Sequence, residues 1–453
     1  MSDQALVNQV VNCMEQTGVP GVAVGIWQQN STQPLVEMAG FGVTNRDHAL
    51  PVTEDTLFQI GSISKTMTAT IAMRLVEMGQ IDLDKPVRHY LPDFQMQDQA
   101  AQEKATVRQL FIHTAGWVGD YFENTGRGDD ALAHYVANMA ALPQQAPLGS
   151  LWSYNNASFS LAGRVIEAVT GKPFETVAHE LLFAPLGMTM SFFFTEEVMT
   201  HRFAVGHIVT PEGATVATPW ALARSAHAAG GVTSTIRDML RYARFHLNGG
   251  RTDSGEQLMQ PATIAAMQAF QTIAGSMADG MGISWMLNDL AGMRLVSHGG
   301  ATNGQIAQLT LAPEKGFALV ILTNANRGRE VTRDLANWAL HHYLGLQAPT
   351  LQYQSLTEAE LQPYTGYYKA QLSEVDVTVA NGGLVLQIIP QPGFPDKNSP
   401  AAPTPPPAPA AFFAADRVII TDGASKEAKC EFIRNAQGEV AWFRVGGRIH
   451  RRQ

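Results

Sequence analysis

The stretch "FQIGSISKTMTATIAMRLVEMG", residues 58–79, decides how the chain is read. Ser62 stands three residues before Lys65, where an apolar periodicity of Ile63, Met67, Ile71 and Leu75 begins. Charged residues are only 16% of the chain, and no other serine is followed by lysine at that spacing. Two readings are open. Ser62 caps the helix and Lys65 is a solvated first-turn residue, or Lys65 shares a helix face with a nucleophile and takes its proton. Positions i and i+3 are neighbours on a helix surface, so the amine can reach the serine oxygen. Burial and the positive end of the helix dipole both disfavour a protonated lysine, while the dipole favours a developing alkoxide.

Outward from this helix, the whole chain limits the possibilities. Its 453 residues exceed one ordinary core, so two domains are expected. An apolar fraction of 45% describes a globular protein, not a disordered one. The 31 basic and 40 acidic side chains give a net charge of −9, which disfavours nucleic acid or an anionic membrane as partner. Cys13 and Cys430 are too few for a disulfide framework or a cysteine-based metal site. The first twenty residues lack a basic start and an uninterrupted apolar core, and no run approaches a membrane span, so the chain reads as cytoplasmic.

Helical periodicity covers residues 4–17, followed by the strand-like runs "GVAVGIWQ" and "LVEMAGFGV". The text after Ser62 is mostly helical to about Gly250, with one clear helix in "LAGRVIEAVTG". Strand signals return at "GMRLVSHGG", "GQIAQLTLAP" and "GFALVILTNAN", and "DLANWALHHYLG" reads as a closing helix. Strands at both ends enclosing a helical insert predict an α+β domain over residues 1–346, an antiparallel sheet flanked by helices. Residues 347–360 read as a linker running into a short helix. Residues 361–453 alternate like strands, with "ANGGL" a hairpin turn, and predict a small β-barrel. The stretch 390–410, "PQPGFPDKNSPAAPTPPPAPA", predicts a polyproline-like or disordered loop.

Two further segments carry candidate chemistry. "WSYNN", residues 152–156, holds the only Tyr-x-Asn of the chain, just before a helix. Tyr154 can shuttle protons if a nearby ammonium lowers its pKa, and the Asn156 amide can hold a substrate carbonyl; packing of the aromatic against a loop is the plainer alternative. "SHGGATNG", residues 297–304, lies between two strand-like runs. Gly299 and Gly300 let a substrate backbone lie against the strand edge, and a backbone amide there can join that of Ser62 in holding an oxyanion. His298 either points into the cleft or makes a local hydrogen bond at a strand end.

"SISK", "YNN" and "HGG", in that order and at wide spacing, resemble the three motifs of the serine β-lactamase and penicillin-binding superfamily. "ATVRQLFIHTAGW", "FAPLGMT" and "AAGGVTSTIRDMLRYARFHLNGG" resemble recurring segments of its class C-like esterase and peptidase branch, over roughly residues 5–345. The C-terminal part resembles the lipocalin-like module that follows the catalytic domain in some members. The resemblance implies a β-lactamase/transpeptidase-like fold with an all-helical insert. It also implies Ser62 as the acylated nucleophile, Lys65 and Tyr154 sharing the proton work, Asn156 orienting substrate, and an oxyanion hole of the Ser62 and Ala301 amides. His298 stands where β-lactam hydrolases usually carry the lysine of Lys-Thr-Gly. A largely neutral histidine holds a β-lactam carboxylate poorly and can donate a hydrogen bond to an ester or peptide carbonyl instead.

Other motifs fall away. No Gly-x-Ser-x-Gly elbow is present, "HELLF" at His179 lacks the second histidine of a zinc motif, and "TGKPF" lacks a phosphate-loop glycine pattern. His113 reads as structural, and Tyr121 and Trp285 as either cleft-lining or core. The expectation is a serine hydrolase for small-molecule or short-peptide substrates, without metal or organic cofactor. A β-lactam hydrolase and a non-catalytic binder using the same cleft are the alternatives. The β domain is expected to restrict access or build a homo-oligomer rather than to supply catalytic groups, since all three motifs precede the linker.

Overall fold

Residues 21–28 and 317–323 are apolar on both faces, and in the computed structural model they form adjacent central strands buried on either side. The structure describes residues 3–30, 33–423 and 425–453. Helix α1 (Gln4–Thr17) starts at Asp3, whose carboxylate accepts from the Ala5 amide, and leads into β1 (Gly21–Gln28) and β2 (Leu35–Gly42). The central helix α2 (Ser64–Glu77) follows, then α3 (Ala157–Thr170) and α4 (Ile236–Leu247). Strands β3 (Gly280–Met281), β4 (Met286–Leu290), β5 (Met293–Thr302), β6 (Gln305–Ala312) and β7 (Phe317–Thr323) complete the sheet before α5 (Gly328–Leu344).

The seven strands run in the order β2-β1-β7-β6-β5-β4-β3, each antiparallel to its neighbours. Side-chain alternation splits the central strands between two cores. Val22, Val24 and Ile26 join Leu319 and Ile321 beneath α1 and α5, while Ala23, Trp27, Val320 and Leu322 face the helical insert. The insert also carries two short strand pairs, Phe58–Gln59 with Thr233–Ser234 and His207–Thr210 with Gly213–Val216.

Helix α2 differs from the single apolar stripe expected of it. Every residue from Ser64 to Leu75 is buried, because its hydroxyls are satisfied inside the protein. Thr70 donates to the Thr66 carbonyl at 2.8 Å, and the Tyr242 hydroxyl donates to Thr66 Oγ1 at 3.0 Å. The helix is thus the axis of the larger core.

After α5, regular structure resumes with one helical turn at Glu358–Leu361. Strands β8 (Gly366–Lys369), β9 (Ser373–Ala380), β10 (Gly383–Pro390), β11 (Ala408–Ala414), β12 (Arg417–Ile420), β13 (Lys429–Arg434), β14 (Val440–Val445) and β15 (Arg448–Arg452) form a closed barrel. β15 pairs with β8 to close it. The inward side chains, among them Tyr368, Val375, Leu386, Phe412, Phe432 and Phe443, pack into one cluster, as an eight-stranded interior allows. Of the proline-rich stretch 390–410, Pro390 ends β10 and residues 408–410 begin β11, while 391–407 run between them without regular structure, docked rather than loose. The Lys397 amide donates to the Phe122 carbonyl at 3.0 Å, its ammonium pairs with Glu123 at 2.7 Å, and Phe394 meets Phe122 edge-on. Among the described residues, no helix is long and apolar enough to cross a membrane.

Candidate active site

A single tight turn separates the strand pair at Phe58–Gln59 from α2. Gly61, Ser62 and Ile63 form a 3₁₀ turn, so Ser62 sits just before the α-helix proper. The turn presses against β5. An added Cβ on Gly61, where φ is +51°, would lie 2.6 Å from the Ala301 amide nitrogen, and one on Gly300 would lie 1.9 Å from the Ile60 carbonyl oxygen. Only glycines permit this approach. It brings the turn that holds Ser62 close against the Gly300–Ala301 backbone, with the Ser62 side chain half-buried.

Lys65 lies one helical turn on and is 0% exposed. Its Nζ is 2.6 Å from Asn156 Oδ1, 2.6 Å from the Ala229 carbonyl oxygen and 3.2 Å from Ser62 Oγ. Burial, followed by the nearby Arg448 cation, pushes this amine well below its usual range, against an opposing pull from Asp120. A neutral amine has two N–H groups and one lone pair. The two carbonyl-type oxygens can only accept, so they take the N–H groups and leave the lone pair for the Ser62 hydroxyl.

Tyr154 also faces Lys65, whose Nζ lies 5.0 Å from its ring centroid. Burial raises its phenol pKa, and the interactions with Ser62 and Arg448 pull the other way without overcoming that. Burial therefore drives Lys65 toward its neutral form and Tyr154 toward its protonated form. Asn155 is structural: its Nδ2 donates to the Trp117 carbonyl at 2.9 Å and its Oδ1 accepts from the Ser158 amide at 2.8 Å. His113 stacks on Tyr154 with centroids 4.5 Å apart and accepts from the Asn155 amide at 3.0 Å, fixing the loop.

One expected placement needs correction. His298 does not offer a donor to a cleft, since its side chain is 1% exposed. Its Nδ1 lies 2.6 Å from the Gly299 carbonyl, which can only accept, so Nδ1 carries the proton and the buried Nε2 is a bare acceptor without a partner. Burial and Lys65 push its pKa down to about 3, so the ring is neutral. Asn156 bridges Lys65 and Asp120: its Oδ1 is 2.6 Å from Lys65 Nζ, and its Nδ2 donates to Asp120 Oδ1 at 2.8 Å. Trp285 is core, 0% exposed and stacked near Tyr242. Tyr121 is half-buried against Tyr135, and His179 is exposed in its helix.

Asp120 and Arg448 escape a reading of the sequence. Arg448 Nε donates to Asp120 Oδ2 at 3.0 Å and Nη2 to Oδ1 at 3.0 Å, and the guanidinium carbon stands 4.7 Å from the Tyr154 ring centroid. The barrel therefore places a charged side chain beside Asp120 and Tyr154. No local pattern marks either residue. Their signal is a contact between positions 328 apart.

A family model described as Beta-lactamase matches residues 6–343. The chain belongs to the beta-lactamase family. This beta-lactamase family member is 34% identical over 342 residues to "Penicillin-binding protein 4" of Amycolatopsis lactamdurans, covering 73% of the chain and 87% of that relative. It is 32% identical over 178 residues to "Esterase EstB" of Burkholderia gladioli, covering 36% of the chain and 45% of the relative. The solved structure "Crystal structure of SurE with D-Leu" superposes with a TM-score of 0.76 at 24% identity, covering 99% of both chains. That likeness extends the shared fold over the barrel as well as the beta-lactamase-like domain.

Proposed function

We propose that the protein is a serine hydrolase that cleaves ester or amide bonds of small molecules or short peptides through an acyl-enzyme on Ser62. The observation that carries this reading is the wholly buried Lys65 amine, whose Nζ lies 2.6 Å from Asn156 Oδ1, 2.6 Å from the Ala229 carbonyl oxygen and 3.2 Å from Ser62 Oγ. Ser62 Oγ attacks the substrate carbonyl carbon while its proton passes to Lys65 Nζ. The oxyanion forms between the Ser62 and Ala301 amides. The Tyr154 phenol protonates the leaving alcohol or amine and is reprotonated by Lys65, which returns the amine to neutrality. Water then attacks the acyl carbon, giving its proton to the same pair, and Ser62 leaves as the alcohol.

Ester and aminoacyl or peptide substrates fit better than β-lactams, because His298 supplies no cation to a β-lactam carboxylate. The relationship to a penicillin-binding protein favours acylation by penicillins as a second reading. Turnover on p-nitrophenyl esters, D- and L-aminoacyl anilides and nitrocefin at pH 7.5 tests both. Ester or anilide turnover should exceed nitrocefin turnover by at least about tenfold, given roughly 1.5–3 kcal/mol for a missing charge-assisted contact. Nitrocefin hydrolysis faster than every other substrate would promote the β-lactamase reading. Absence of all turnover and of any Ser62 adduct would leave a non-catalytic binder.

A further inference from the structure

The sequence "VGGRIH", residues 445–450, carries no catalytic motif, yet it forms the tip of the β14–β15 hairpin that enters the site. Gly446 and Gly447 turn the chain at φ of +58° and +78°. The tip docks on the "WSYNN" segment through its backbone. The Gly447 carbonyl accepts from the Tyr154 amide at 2.8 Å, Ile449 N donates to Ser153 Oγ at 3.3 Å, and Arg444 Nη2 donates to the Trp152 carbonyl at 2.9 Å. Arg448 is thus delivered to Asp120 by a fixed frame.

From Arg448 a continuous chain of contacts runs to the base. Asp120, only 5% exposed, receives the bidentate guanidinium. Asp120 Oδ1 also accepts from Asn156 Nδ2, and Asn156 Oδ1 accepts from Lys65 Nζ. An amide can present either its oxygen or its nitrogen to a neighbour. Here the carboxylate selects the nitrogen and so turns the oxygen toward Lys65. A buried carboxylate without a counter-charge would hold Lys65 protonated and disable it as a base. Arg448 supplies that counter-charge from the opposite side.

We propose that Arg448 is a positioning residue that the barrel supplies to the hydrolase domain: it neutralises Asp120, fixes the Asn156 amide, and keeps a cation beside Lys65. This rests on the reading of Ser62 as nucleophile and Lys65 as base. Three of the five N–H groups of Arg448 are engaged within the protein: Nε and Nη2 donate to Asp120, Nη1 donates to the Gly446 carbonyl at 2.8 Å, and one face covers Tyr154.

The groups facing Lys65 are Ser62 on its own turn, Asn156 and Tyr154 before α3, the Ala229 carbonyl, His113, His298 on β5, Asp120 and Arg448. Burial holds both histidines neutral, so Asp120 and Arg448 are the fixed charges of this set. The sign follows directly. Activity appears as pH rises through the Lys65 pKa, so removing the cation moves this limb to higher pH and removing the anion moves it lower.

The test is the rate of Ser62 labelling by a fluorophosphonate across pH, on the full-length protein, with the adduct located by mass spectrometry. Labelling is blind to the natural substrate: Ser62 Oγ bonds to phosphorus, fluoride leaves, and the serine proton passes to the base. In Arg448→Met the acidic limb should move up by about one pH unit or more, with roughly tenfold slower labelling at pH 7 and recovery at high pH. Arg448→Lys should keep the limb near its wild-type position, and Asp120→Asn should move it down. The Asp120→Asn arm stands even if Arg448→Met does not fold. A wild-type profile in Asp120→Asn, or a loss in Arg448→Met that is equal at every pH, would overturn the proposal. So would an effect confined to the KM of carboxylate-bearing substrates. Failure of the wild-type protein to label at Ser62 would instead defeat the hydrolase reading beneath it.

Discussion

Ser62 and Lys65 are three residues apart, whereas Asp120 and Arg448 are 328 apart, yet both pairs converge on one cleft. The first pair is written into a single helical turn, because a base must reach its nucleophile and i, i+3 geometry guarantees that. The second depends on a separate barrel being docked in one orientation. The contrast separates two tasks. The Ser62–Lys65 contact comes from local sequence, while the Asp120–Arg448 ion pair comes from the fold.

The largest effect should come from breaking the local pair. Ser62→Ala and Lys65→Ala should each lower kcat on a p-nitrophenyl ester by about three orders of magnitude or more, and the double variant by little further, since residues acting as a unit are non-additive. Near-wild-type turnover by Ser62→Ala would remove the nucleophile from the account. Equal additivity would show that the two do not act together.

What could be read without the structure divides along the same line. The extents of α1 and β1 follow from periodicity and turn residues, and "SISK", "YNN" and "HGG" point to the residues that meet in the cleft. His298 shows where such reading stops. Its type suggests a switchable donor, but the tautomer is dictated by the Gly299 carbonyl, which no sequence pattern reveals. Asp120 and Arg448 were out of reach for a stronger reason: neither has a partner within its own element. The proline-rich stretch reads as free by composition, yet Lys397 and Phe394 tie it to Phe122 and Glu123.

His298 therefore offers a second way to probe the comparison. With its pKa pushed down to about 3 by burial and Lys65, the ring stays neutral throughout the working range. His298→Gln should leave the shape of the kcat/KM profile unchanged between about pH 5 and 8, while lowering its height by about tenfold or less. Disappearance of a limb near pH 6.5 would show that the histidine titrates during turnover.

Glu175 is an intermediate case, linking segments about fifty residues apart. Burial would raise its carboxyl pKa, but His227 at 2.7 Å and Arg224 at 3.0 Å prevail and hold it down to about 2, against an ordinary 4.5. A depressed carboxyl stabilises the fold above its unfolded value, and that contribution is lost as pH falls from about 4.5 toward about 2. At about 1.4 kcal/mol per unit, the difference corresponds to about 3 kcal/mol. Glu175→Gln should lower the thermal midpoint at pH 7 by several degrees and flatten its acid dependence, as followed by circular dichroism. An unchanged acid slope would show that the cluster does not contribute in this way.

The smallest and most selective effect separates the two glycines of the barrel tip. Both have positive φ, so alanine strains the turn at either position by a similar amount. Their surroundings differ. An added Cβ on Gly446 meets nothing within 4 Å, whereas one on Gly447 would lie 3.3 Å from Trp152 Cη2 and 3.5 Å from Tyr154 Cβ. Gly447→Ala therefore presses on the Trp152 ring by a few tenths of an ångström, and is expected to strain the bond from the Tyr154 amide to the Gly447 carbonyl and to loosen Arg448 on Asp120. Gly446→Ala pays only the turn strain. Both variants should lose similar stability, about 1 kcal/mol, but Gly447→Ala alone should lower kcat/KM by a few-fold and raise the acidic limb by a fraction of a pH unit. Equal activity losses in the two variants would mean that the tip matters to barrel stability alone. The long-range half of the site would then reduce to packing.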